Sequence, residues 1–105
     1  MFTFIESQAF SRLRETYFDD DEYCALQLFL MLDPKAGDVI PGSGGVRKVR
    51  WRRPGSGKRG GVRIIYIVRY RPNEIAMLTM YAKAMHEDIP VETVRRMKEA
   101  FERDR

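Results

Sequence analysis

Lys48, Arg50, Arg63, Tyr81 and Lys83 are of types that hold a phosphate and move protons around it. Arginine stays charged and forks onto two oxygens, lysine is a point charge that can release a proton, and a phenol can donate or accept one. Their spacing brings them together if their segments are strands. Val46 to Trp51 alternates Lys48 and Arg50 with Val49 and Trp51; Val62 to Tyr70 sets Arg63 against Val62, Ile64 and Tyr66; Ile75 to Lys83 sets Tyr81 and Lys83 against Met80 and Ala82. Successive side chains of a strand point to opposite faces. With Val49, Trp51, Ile64, Tyr66, Leu78 and Met80 turned toward a helix-covered core, the other face collects all five, a phosphate-binding surface with one phenol.

The charge around these residues points the same way. Between Val46 and Tyr66 stand eight basic residues, four glycines and no carboxylate, and from Val39 to Asn73 there are ten basic residues and no acidic one. The rest of the chain carries nine basic and fifteen acidic residues, so a net charge of +4 conceals a basic middle between acidic ends. A solubilising surface intersperses both signs, whereas a one-sign field concentrates a polyanion. Arg47, Arg52, Arg53, Lys58 and Arg59 are therefore expected to contact the phosphate backbone of a nucleic acid. The segment GSGKRG, Gly55 to Gly60, matches the glycine spacing of a dinucleotide site. That fingerprint needs a helix to follow it, and VRIIYIVRY has no helical period. It is not a P-loop either, because Arg52 and Arg59 stand where a glycine and a hydroxyl residue are required. The glycines fit a hairpin loop carrying Lys58 and Arg59.

The elements that must position this face are legible in outline. A length of 105 residues suits one domain, residues 1–105, with a modest core. Phe2 to Ile5 is extended, Ser7 can cap a helix containing Phe10, Leu13 and Tyr17, and Asp19 to Glu22 favourably open a second helix that runs through Leu26, Phe29, Leu30 and Leu32 to Asp33 and Pro34. The acidic cluster reads as helix capping rather than as a metal site. The loop KAGDVIPGSGG calls for turns, three strands follow, and Ile89 and Pro90 start a last helix with Val91, Val94, Met97 and Phe101 on one stripe. The order β-α-α-β-β-β-α describes an α+β domain, helices on one face of a mainly antiparallel sheet. Cys24, the single cysteine, is expected to be a small buried side chain in a reducing, cytoplasmic setting. MFTFIESQAF lacks a signal-peptide pattern, and CALQLFLML is too short to span a bilayer. Trp51 reads as core, and His86, beside Glu87 and Asp88, as a surface residue.

Together, IPGSGGVRKVRW, GKRGGVRIIYIV and MLTMYAK resemble the RelE/HigB toxins of type II toxin–antitoxin systems, within the RelE/ParE superfamily, and the element order matches that family's compact microbial ribonuclease fold over nearly the whole chain. The resemblance implies a ribosome-dependent mRNA endoribonuclease, an mRNA interferase acting in the ribosomal A site and inhibiting translation. Its implied partners are the ribosome, mRNA and a cognate antitoxin, of helix-turn-helix type and encoded by an adjacent gene. No metal or other cofactor is implied. Lys48 and Arg50 match the basic pair on the family's first strand after the helices, Arg63 the arginine of its GYRLVY-like strand, and Lys83 the lysine closing the last strand. Where the family continues with an arginine and a catalytic tyrosine, this chain has Ala84 and then His86 to Pro90. Tyr81 takes the place of the missing phenol.

Metal-free RNA cleavage needs the 2′-hydroxyl deprotonated, the phosphorane charge stabilised and the 5′-oxygen protonated. Arg50 and Arg63 suit the phosphorane, like-charge crowding favours the neutral amine of Lys48 or Lys83, and Tyr81 can stack or assist proton transfer. Two other functions stay open: a ParE-like DNA gyrase poison, which needs no cationic catalytic face, and a non-catalytic RNA- or ribosome-binding module, whose contacts would tolerate exchange of arginine for lysine.

Overall fold

The computed structural model describes residues 1–52, 61–83 and 88–104. Its elements are β1 (Thr3–Glu6), α1 (Gln8–Tyr17), α2 (Asp20–Leu32), β2 (Asp38–Val39), β3 (Arg47–Trp51), β4 (Val62–Arg69), β5 (Glu74–Ala82) and α3 (Val91–Arg103). The strands form one sheet in the order β1-β5-β4-β3-β2, with β1 parallel to β5 and the other pairs antiparallel. Among the described residues, no helix is long and apolar enough to cross a membrane.

Local chemistry sets the helix ends. Ser7 Oγ accepts from the Phe10 amide and caps α1. Asp19 accepts from the Glu22 amide while Glu22 accepts from the Asp19 amide, a reciprocal capping box that uses the acidic cluster as expected. Cys24, expected inside, is exposed on α2. Leu28 and Leu32 are exposed on the same helix; its apolar residues run round the whole cylinder, so composition could not say which would be covered. The turn-rich loop expected after α2 contains β2, a two-residue edge strand paired with Arg47 and Lys48; two residues are too few for alternation to show.

The helices lie on both faces of the sheet, not on one. Phe10 of α1 and Tyr23, Leu26 and Leu30 of α2 pack on Val49, Ile64, Tyr66, Ile75, Met77 and Met80. On the opposite face Val94 of α3 packs on Val46, Ile65, Ile67, Ala76, Leu78 and Tyr81. The physical reason lies in β4 and β5, where β-branched, aromatic and other apolar residues alternate with one another rather than with polar ones, so both faces need cover.

Leu78 also differs from expectation. Ile65 pairs with Thr79 and Tyr66 with Met77, so Leu78 is an extra residue in β5, a β-bulge. It reverses the alternation: Met77 and Met80 both face α1 and α2, while Leu78 and Tyr81 both face α3. Ser7 Oγ donates to the Leu78 carbonyl at 2.6 Å, so the residue that caps α1 also holds the bulge.

Tyr66 anchors the loop after α2. Its buried hydroxyl donates to the Pro34 carbonyl at 2.8 Å and accepts from the Gly37 amide at 2.9 Å. Tyr66→Phe leaves both backbone groups short of a partner and is expected to cost about 1–3 kcal/mol. Urea unfolding checks this; an unchanged midpoint would show that the loop finds other partners.

Candidate active site

Register places the predicted residues before any side chain is considered. Arg50 lies opposite Arg63, and Arg63 opposite Tyr81, in a straight row across β3, β4 and β5. Lys48 stands two residues from Arg50 on the same face, and Lys83 directly follows β5, its amide bonded to the Gly61 carbonyl at 3.2 Å. Like charges directly opposite on neighbouring strands destabilise a sheet. Arg50 and Arg63 are placed so, with Arg63 only 8% exposed.

At the α3 end of this row lies a cleft of about 410 Å³, lined by Ile40, Pro41, Lys48, Tyr81, Asp88 and Val91 among others. Asp88 precedes α3 and reaches back over β3: its Oδ1 is 2.8 Å from Lys48 Nζ and 3.4 Å from the Tyr81 hydroxyl. The hydrogen bond from Lys48 and that lysine's charge hold the Asp88 carboxyl below the usual carboxylate range, with Tyr81 and Lys83 adding to the effect. Burial pushes the Tyr81 phenol up; Asp88 pushes the same way, and Lys48 and Arg63 oppose it. The phenol therefore stays protonated near neutral pH and serves as a donor. Lys48 faces a carboxylate as well as cations, so like-charge crowding is not its whole environment.

The remaining basic residues separate. Arg47 points to the α2 face, where its guanidinium donates to the Gly37 carbonyl at 2.7 Å and thereby holds the loop. Arg52 is exposed just beyond β3. Arg53, Lys58 and Arg59, and with them the glycine motif and His86, lie outside the described residues. A strand, β4, follows that motif, so no helix N-terminus stands there for a pyrophosphate. Trp51 packs against Phe29 of α2 with ring centroids 5.4 Å apart, in the core as expected.

Asp88 was missed as a site residue in the sequence. It lies forty residues from Lys48 and carries the wrong sign for a search among cations, and its only local signal is a place just before a helix start.

No protein-family profile matches the chain. Among solved structures it is similar to the Escherichia coli toxin RelE, in the free state of a double arginine-to-alanine mutant, with a TM-score of 0.61. The match covers 92% of this chain and 96% of that one at 13% identity. The chain has the RelE fold.

Proposed function

We propose that the protein is a RelE-family toxin that cleaves mRNA on the ribosome and so blocks translation, held in check by a cognate antitoxin of helix-turn-helix type in the cytoplasm. The observation that carries this reading is the row Arg50–Arg63–Tyr81 beside Lys48, a preorganised cationic strip opening into a cleft, on the RelE fold. A phosphate laid on the strip meets two arginines that can fork onto its oxygens as charge grows there. Lys83 extends the strip, and Tyr81 supplies a hydrogen bond at its end. Lys58 and Arg59, by composition, supply contacts to nucleic-acid backbone, with Arg52 and Arg53 continuing the charge.

Ribosome dependence follows from what the strip lacks. Among the described residues it holds no histidine acid/base pair, so the bound mRNA must be presented in a geometry already close to in-line attack. Purified protein is expected to cut mRNA on programmed ribosomes and to leave naked RNA nearly intact at matched concentration. Efficient cutting of the free RNA would remove the ribosome from the proposal. Growth arrest with intact mRNA and gyrase-linked DNA breaks would instead select the gyrase-poison alternative.

A further inference from the structure

The set Lys48, Arg50, Arg63, Tyr81 and Lys83 contains electrostatic stabilisers and proton donors but no anionic group to accept a proton. The structure brings one to it. Asp88 sits with its side chain 76% exposed at the mouth of the cleft, and a single oxygen, Oδ1, touches both Lys48 and Tyr81. We propose that the Asp88 carboxylate is the general base that removes the 2′-hydroxyl proton of the RNA. The assignment rests on the ribonuclease reading above and adds to it the group on which the reaction begins.

The step balances as follows. The 2′-O–H bond breaks and its proton goes to Asp88; the O2′–P bond forms; the P–O5′ bond breaks with its electron pair on the 5′-oxygen, which takes a proton from the Lys83 ammonium. The products end in a 2′,3′-cyclic phosphate and a 5′-hydroxyl, and solvent restores the protonation of Asp88 and Lys83. Lys48 holds Asp88 ionised in the free protein. When a phosphate docks, Lys48 can turn to a non-bridging oxygen; losing that partner beside a new anion makes the carboxylate a stronger base. Tyr81, donating to the same Oδ1, keeps the carboxylate aimed while Lys48 moves.

The test is single-turnover cleavage of mRNA on programmed ribosomes, using the normal message and one with sulfur in place of the 5′-bridging oxygen at the mapped cut site. Sulfur leaves as a thiolate and needs no proton donor, so it rescues loss of an acid but not loss of a base. Asp88→Asn is expected to slow cleavage on the order of a hundredfold or more with ribosome affinity unchanged or tighter. It should stay as slow, relative to the parent, on the sulfur-containing message, and Asp88→Glu should recover part of the rate. The Asp88 side chain is exposed, so the fold does not depend on its burial, and recovery of rate by Asp88→Glu separates a folding defect from loss of the base. If Asp88→Asn cuts at the parental rate or faster, the carboxylate merely covers the cationic strip and the proposal falls. If sulfur restores Asp88→Asn to the parental rate, Asp88 serves the leaving group and the proposal also falls. Failure of the parent protein itself to cut would instead overturn the ribonuclease reading.

Discussion

Arg63→Ala is expected to slow cleavage of ribosome-bound mRNA on the order of a hundredfold or more while leaving the protein folded and able to bind the ribosome. Arg63 emerges from the middle of the sheet between Arg50 and Tyr81, 8% exposed, so its backbone is fixed by the strands on either side. A stabiliser held before the reaction needs no reorganisation as charge develops, and removing one key donor is correspondingly severe. Circular dichroism and urea unfolding of the variant check that the fold survives. Arg63→Lys keeps the charge but not the fork and should rescue only weakly. Lys58→Ala, by contrast, is expected to weaken binding and flatten its salt dependence by about one unit of slope while sparing the chemical step. Single-turnover rates and salt titrations of the three variants decide the matter. If Arg63→Ala cuts near the parental rate while Lys58→Ala loses the chemistry, the catalytic centre lies elsewhere on the basic segment.

The largest expected effect on stability comes from Gly61→Ala. Gly61 has φ +74°, and an added Cβ would lie 2.5 Å from the Trp51 carbonyl oxygen and 3.1 Å from the Arg52 Cα. Both obstacles are backbone of the adjoining strand end and cannot swing away. Left-handed strain and overpacking together are expected to cost about 3 kcal/mol, which for a chain of this size lowers Tm by roughly 12 °C or more. Gly45→Ala is the matched control: φ is +96° but nothing lies within 4 Å of the added carbon, so only the conformational cost applies, about 1 kcal/mol. Scanning calorimetry of the pair separates clash from strain. Equal losses in the two variants would mean that β3 and β4 can part at that point without cost.

Much of this architecture could be read from residue order, and the parts that could not share a cause. Ser7 and Asp19 mark helix starts through side-chain hydrogen bonds to amides three residues on, while Pro34 stops α2 and Pro90 precedes α3 by the restrictions of the proline ring. Local chemistry of that kind is written locally. The faces of β3 were legible because charged and apolar residues alternate there. In β5 the run IAMLTMY offers no such contrast, so the slip at Leu78 leaves no trace in hydropathy. The stripe on α3 states that one side of the helix is buried but not against which face of the sheet. That answer lay in β4, whose two apolar faces demand two covers. The cationic strip was legible through strand parity, whereas the position of Asp88 depends on where the chain returns after β5, which no pattern of period two or 3.6 encodes.

The bulge in β5 makes length a form of information that composition does not carry. From Glu74 to Met77 the strand keeps one phase against β4, and from Thr79 onward it keeps the other. In a strand of this length Tyr81 joins Arg63 because one residue is spent between the two phases. An exchange such as Leu78 for another aliphatic preserves the count, and with it the face on which the phenol emerges. Removing the same residue would close the bulge and leave Tyr81 opposite Arg63, whereas adding one residue to the regular part of the strand would turn Tyr81 toward α1 and α2. Homologous chains should accordingly tolerate drift in what stands between Met77 and Met80, or loss of the one extra residue, far more readily than an insertion there.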